Sequence, residues 1–318
     1  MKQSIYLSLL ILALGVVGLG AYTRLKDAGL GCPDWPGCYG YLLYPTTPEA
    51  ITNANNSYPN TPFVEEKAWP EMYHRYVAGI LGLGAIAIAI HQIRHKVRTR
   101  SAYALILCVG AQALLGAWTV TMLLHPIVVM SHLLGGFTIT SLIFYQLLRQ
   151  HHQPTRLSQL TLALIIAQII MGGWTSANYA ALVCPNLLTC ANQFFPPLNV
   201  SAAFFDGWSI GTNYEYGILD YSARVTIHML HRYLALITSF MLIFTLIKQR
   251  RTYKLSESIL PISVLCLQLA LGIANIKWLL PIHIAVAHNL VALCLLLSWI
   301  RYSQLQPISQ RLSTPSVH

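Results

Sequence analysis

Residues 20–38 open with Gly20-Ala21-Tyr22-Thr23 and close with Cys32-Pro33-Asp34-Trp35-Pro36-Gly37-Cys38. Residues 172–190 open with Gly172-Gly173-Trp174-Thr175 and close with Cys184-Pro185 through Cys190. The second stretch echoes the first 152 positions later, and both cysteine pairs are spaced C-x5-C. The echo continues down the chain. Glu71-x-x-His74-Arg75 returns as His228-x-x-His231-Arg232, and Gln112, Gly116 and His132 return as Gln268, Gly272 and His288. One unit is written twice, with a divide that separates residues 1–150 from 151–318.

Around these motifs the chain is mostly apolar. Of its 318 residues 55% are hydrophobic and only 9% charged, too little polar surface to coat a soluble core of that size. A bilayer crossing needs about 20 mostly apolar residues. Eight such runs are predicted, near 4–23, 73–93, 102–123, 127–148, 157–177, 224–247, 257–277 and 280–300. The fold class read from sequence is therefore an all-α integral membrane protein, eight transmembrane helices forming two pseudo-symmetric four-helix bundles. Four crossings separate equivalent positions, so both halves run the same way, about a pseudo-two-fold axis along the membrane normal.

The net charge of +10 is a topology signal rather than a nucleic-acid footprint, because the basic residues fall in short clusters between apolar runs. Lys2, Arg94, Lys96, Arg98, Arg100, Arg149, Arg156, Lys248, Arg250, Arg251, Lys254, Arg301 and Arg311 collect on one side. The positive-inside rule makes that side cytoplasmic, with both termini there and the long loops at about 24–72 and 178–223 outside. The first apolar run has a counterpart later in the chain, so it is expected to be a retained helix rather than a cleaved signal. No transit-type segment precedes it, and a bacterial plasma membrane is the simplest address.

The repeat also ranks the histidines. Of twelve, only His74, His132, His231 and His288 recur in it. Each half offers two facing imidazoles within roughly 6–12 Å of the outer boundary, counting 1.5 Å per helical residue. A hydrogen-bonded histidine inside a bundle is the competing reading, but ionisable groups in lipid are costly, and four at symmetric places point to function. Zinc would want three or four convergent ligands. One pair per half suits the two axial positions of a haem, and the absence of C-x-x-C-H excludes c-type attachment. Arg75 and Arg232 follow two of these histidines, where a guanidinium could pair with haem propionates or anchor to headgroups.

Glu71 breaks the repeat, since its counterpart is His228. A carboxylate three positions before His74 on one helix face could move protons or hold a substrate at one site only. The four loop cysteines are expected to form one bridge per loop, Cys32 with Cys38 and Cys184 with Cys190, as stapling or as a redox couple. Cys108, Cys266 and Cys294 read as small apolar residues inside helices.

Taken together, Gly20-Ala21-Tyr22-Thr23-Arg24-Leu25, the Cys32-Pro33-Asp34-Trp35-Pro36 segment, Glu71-x-x-His74-Arg75 and His228-Met229-Leu230-His231-Arg232 resemble the haem A synthase family over residues 5–300. The resemblance implies an enzyme of cytochrome oxidase assembly that oxidises a methyl group of haem O to the formyl group of haem A by successive hydroxylations. It implies a haem b cofactor on His231 and His288, a substrate haem site on His74 and His132, and an essential acid at Glu71. Expected partners are haem O, a haem O synthase that could deliver it, a membrane electron donor, the lipid bilayer and, as an option, further copies of the chain. No nucleic acid is expected. Two other readings stay open: a bis-histidine b-type cytochrome that only carries electrons, and a thiol oxidoreductase using the loop cysteines. A transporter is disfavoured because the polar ligands cluster toward one face rather than the midplane.

Overall fold

The computed structural model describes residues 3–148, 152–190, 192–205 and 208–305. The helices are α1 (Gln3–Leu25), α2 (Pro48–Ser57), α3 (Glu65–Arg94), α4 (Thr99–Thr121), α5 (Pro126–Leu147), α6 (Arg156–Ala177), α7 (Val200–Phe204), α8 (Tyr221–Gln249), α9 (Leu255–Lys277) and α10 (Ile282–Ser303). Eight of them, all but α2 and α7, are long and apolar enough to cross a membrane. Within each, only 11 to 39% of the most apolar window is buried in the protein. Apolar helices that keep most of that surface outward need lipid around them, so the chain is a multi-pass membrane protein. Lys2, Arg149, His151, Arg311 and the divide near residue 150 lie outside the described residues.

Each set of four spans forms a ring. In the first, α1 packs on α3, α3 on α4, α4 on α5 and α5 back on α1; in the second, α6 packs on α8, α9 on α10 and α10 on α6. The rings differ at one seam. α3 and α4 pack closely, whereas their counterparts α8 and α9 touch at only a few points. Between the rings, α1 meets α10 and α5 meets both α6 and α10, around a core that includes Ala13, Phe137, Ile143, Ile165, Leu293 and Trp299. Trp299 is fully buried and its indole N–H donates to the Ser158 carbonyl at 3.0 Å, which ties α10 to α6.

Two spans are longer than their apolar runs. α3 starts at Glu65 and α8 at Tyr221, so both project past the hydrocarbon on the loop side. The apolar pattern missed the first turns of α3 because Glu65, Glu66, Lys67 and Glu71 are polar. Acids favour a helix N-terminus, and Pro70 sits only six positions into the helix. At α8, the Asp220 carboxylate accepts from the Ala223 N–H at 2.7 Å and caps the helix. The loop helices α2 and α7 carry no long apolar run and were not legible as spans.

The halves also meet beyond the bilayer. Tyr179 donates to Asp27 at 2.8 Å, and these residues occupy the same place in the two copies. The Arg24 guanidinium donates to the Ser176 carbonyl at 2.7 Å, to the Tyr179 hydroxyl at 2.8 Å and to Asp27 at 3.3 Å. Arg24 and Ser176 are again equivalents, separated by 152 positions. A little further out, Lys67 pairs with Glu215 at 2.8 Å and so ties the second long loop to α3. Truncating Arg24 removes the guanidinium that bridges the halves, although Asp27 still holds the Tyr179 hydroxyl and the Ser176 carbonyl still accepts the Tyr179 N–H. Arg24→Ala should cost about 1–3 kcal/mol and lower the thermal unfolding midpoint in detergent by several degrees. An unchanged midpoint would show that this cluster does not hold the halves together.

Candidate functional site

In each ring the repeated histidines stand on diagonally opposite helices, His74 on α3 and His132 on α5, His231 on α8 and His288 on α10. The other diagonal carries glycines. A Cβ built on Gly20 of α1 would lie 2.8 Å from His74 Cε1, and one on Gly116 of α4 would lie 3.2 Å from His132 Cε1. The second ring repeats this, with Gly172 and Gly272 each 3.2 Å from Cε1 of His231 and His288. Every imidazole is seated on a helix surface that only a missing side chain makes close enough.

His74 and His132 face each other with ring centroids 6.3 Å apart and planes at 83°. Two imidazole–metal bonds of about 2 Å plus two ring radii come to roughly 6 Å, so the pair has the span of two ligands on one ion. His231 and His288 occupy the equivalent places on α8 and α10 of the second ring. The Nδ1 atoms of His74, His132 and His288 are buried without a protein hydrogen-bond partner, while the residues themselves are half-buried, unlike the sealed Leu293 and Trp299 deeper on α10. Buried ring nitrogens without a protein partner, on imidazoles that face each other in pairs, fit the donor set of a bound metal group. In the second ring the Gln168 amide nitrogen lies 3.1 Å from His231 Nδ1 and donates to the His231 carbonyl at 3.2 Å. The first-ring equivalent of Gln168 is Val16. Among the described residues no three His, Cys, Asp or Glu side chains converge on a common metal position, so a zinc-type cluster has no support.

Glu71 is almost fully buried, with 5% exposure, and its carboxylate is fixed at both oxygens. Oε1 accepts from Arg75 Nη2 at 2.5 Å, and Oε2 accepts from the Cys32 N–H at 2.9 Å. Gly31 makes that approach possible. A Cβ there would sit 2.4 Å from the Lys67 carbonyl oxygen, so any larger residue pushes the loop off α3. The repeat equivalent of Gly31 is Val183, and in place of Glu71 the His228 Nδ1 contacts the Ala180 carbonyl at 2.7 Å. Reading the repeat for its mismatches would have singled out Gly31 beside Glu71.

The two arginines grip the cysteine loops. Arg75 donates to the carbonyls of Asp34, Pro36 and Gly37, and Arg232 to those of Cys184, Asn186 and Leu187. Arg232 Nε remains buried without a partner. The sulfurs of Cys32 and Cys38, and of Cys184 and Cys190, are placed at bonding distance, and all four residues are buried. Beside the first loop, burial and then the charges of Glu71 and Asp34 push the Tyr39 phenol up to about 12, so it donates to the Thr61 and Pro62 carbonyls at neutral pH. His125 packs against Trp208 and Tyr214 with its Nδ1 unpartnered, and burial lowers its imidazole.

Two half-buried histidine pairs, one across each four-helix ring, define the class: a multi-pass membrane protein with one facing imidazole pair in each half. Residues 3–300 match the COX15-CtaA family model, described as cytochrome oxidase assembly protein. A heme A synthase of Shewanella oneidensis is 42% identical over 91% of this chain and 92% of its own length. Heme A synthases of Neorickettsia sennetsu and Maricaulis maris are 25% and 26% identical, over 90% and 91% of this chain and 93% and 91% of theirs. The chain belongs to the haem A synthase family.

Gly31→Ala should destabilise the protein by about 1–3 kcal/mol through backbone overpacking. The Cys32 amide should then exchange with deuterium roughly tenfold faster as it loses Glu71, since a tenfold change needs only about 1.4 kcal/mol of local opening. Unchanged exchange in peptides covering residues 28–40 would mean the carboxylate does not depend on this approach.

Proposed function

We propose that this chain is an oxidoreductase of haem A formation that converts a methyl group of haem O to a formyl group by two successive hydroxylations, each taking one oxygen atom from O2 with two electrons and two protons and releasing water, the second giving a geminal diol that loses water to the aldehyde. Haem O binds between His74 and His132, and a b-type haem is held by His231 and His288. The carrying observation is the asymmetry between otherwise matched sites: a carboxylate fixed at both oxygens stands three residues before one histidine, and an imidazole stands in its place at the other. The relatives' names agree with the chemistry this asymmetry allows.

Haem b in the second ring supplies one-electron transfer when bound, fed by a membrane electron donor. The loose α8–α9 seam leaves width there for a resident planar group. The protein does the rest. His74 and His132 orient the substrate porphyrin, and Gly20 and Gly116 hold their rings in place. Glu71 accepts or returns a proton beside the reacting substituent, and the Cys32 N–H and Arg75 keep its carboxylate aimed. Arg75 and Arg232 act mainly by securing the loops, with Arg232 Nε–H left for an anionic group such as a propionate. The cysteines act as disulfide staples. Their burial keeps them from thiol exchange, which disfavours the thiol oxidoreductase reading. Basic residues at the inner helix ends support a bacterial plasma membrane with both termini in the cytoplasm, a haem O synthase as source of substrate, and self-association as an option.

Purified protein, expressed with and without a source of haem O, should yield haem B together with hydroxylated or formylated haem O on extraction and mass analysis. Glu71→Ala should lower conversion by about a hundredfold or more while both haems stay bound. His231→Ala or His288→Ala should remove haem B and its absorbance. Haem B alone, with added haem O unchanged under reducing conditions and O2, would replace this reading with that of an electron-carrying cytochrome.

A further inference from the structure

We propose that the two cysteine loops end in a matched pair of apolar wedges, Leu42-Leu43 and Phe194-Phe195, that enter the loop-side leaflet of the bilayer and take lipid as their ligand. The pairs are equivalents in the repeat and follow Cys38 and Cys190 by the same spacing. Each is presented by a tight backbone closure: Cys38 and Tyr41 exchange hydrogen bonds at 2.9 and 3.0 Å, and Cys190 and Gln193 exchange two at 2.9 Å. Leu42 is 86% exposed and Phe195 82%, values that a water-facing loop would normally avoid in two symmetric places. Residues 39–48 and 191–205 contain no Asp, Glu, Lys or Arg. An uncharged run rich in aromatics and proline is the composition of a membrane interface.

Depth comes from two tyrosines. The Tyr76 hydroxyl donates to the Leu42 carbonyl at 2.6 Å, and the Tyr233 hydroxyl donates to the Phe194 carbonyl at 3.0 Å. Tyr76 and Tyr233 each lie two residues past a site histidine, inside spans α3 and α8. α3 has 30 residues and is therefore about 45 Å long, against roughly 30 Å of hydrocarbon. Counting back roughly 20 residues from its inner end brings the boundary close to His74, so loop tips tied to Tyr76 and Tyr233 reach that boundary.

The wedges also continue the lipid-facing surface. Tyr73, Tyr76, Ile80 and Leu83 are exposed along α3, and Leu236, Ile237 and Phe240 along α8, with the Phe195 ring 6.0 Å from that of Tyr233. Behind each tip, the cysteine pair and the arginine-gripped carbonyls hold the backbone, so little order is lost on insertion. This inference needs only the membrane setting and not the proposed chemistry.

The test uses the full chain in phosphatidylethanolamine–phosphatidylglycerol vesicles, with a benzophenone amino acid placed in turn at 42, at 195 and, as a water-facing reference, at exposed Asn56 on α2. Irradiation followed by intact-mass analysis should show phospholipid adducts at both 42 and 195, at yields roughly fivefold or more above position 56. The replacement is itself large and apolar, and the absorbance melt of each variant checks that it folds. Adducts at neither position, at only one, or to a second copy of the chain or another protein would overturn the proposal.

Discussion

An imidazole inside an apolar helix ring is costly to leave without a partner, and this protein holds four. That cost organises both rings. Helices carrying histidine take one diagonal, helices carrying glycine take the other, and each ring packs against a backbone cleared of side chains. The unpartnered ring nitrogens do not count as packing faults in this setting. A buried polar group without a partner is unusual in a folded protein, and here it recurs at symmetric places.

The halves share this frame and depart from it in a few positions. Glu71 faces His228 across the repeat, Gly31 faces Val183, and Val16 faces Gln168. The exchanges change what a histidine pair has near it: a fixed carboxylate in one ring, and an amide on the backbone and ring of His231 in the other. The seam between α8 and α9 is looser than that between α3 and α4, so the difference extends from side chains to helix spacing. Duplication supplies two similar frames, and the substitutions give the two histidine pairs unlike surroundings.

Much of this was legible in the sequence because the signals were periodic or repeated. Eight apolar runs, two C-x5-C loops and four recurring histidines could be read without coordinates, and so could Gly116 and Gly272 as members of the repeat. What was hidden depended on backbone atoms. No pattern of side-chain types announces that Arg75 and Arg232 spend their donors on loop carbonyls, or that the Cys32 N–H reaches Glu71. The early start of α3 was masked because a helix leaving the bilayer turns polar just where hydropathy stops reporting it. The Lys67–Glu215 pair joins residues 148 apart, a distance that charge patterning along one helix cannot bridge.

The contact between Asp27 and Tyr179 has a meaning for how the two halves could associate. In a dimer of identical subunits, whatever stands on the symmetry axis meets its own copy. Two first halves would bring carboxylate to carboxylate, and two second halves phenol to phenol without any arginine. Joined in one chain, the copies escape that restriction, so acid faces phenol and the guanidinium comes from one side alone. The surfaces have become complementary to each other and no longer to themselves. Expressed as separate polypeptides, the halves would have a physical reason to assemble as a mixed pair.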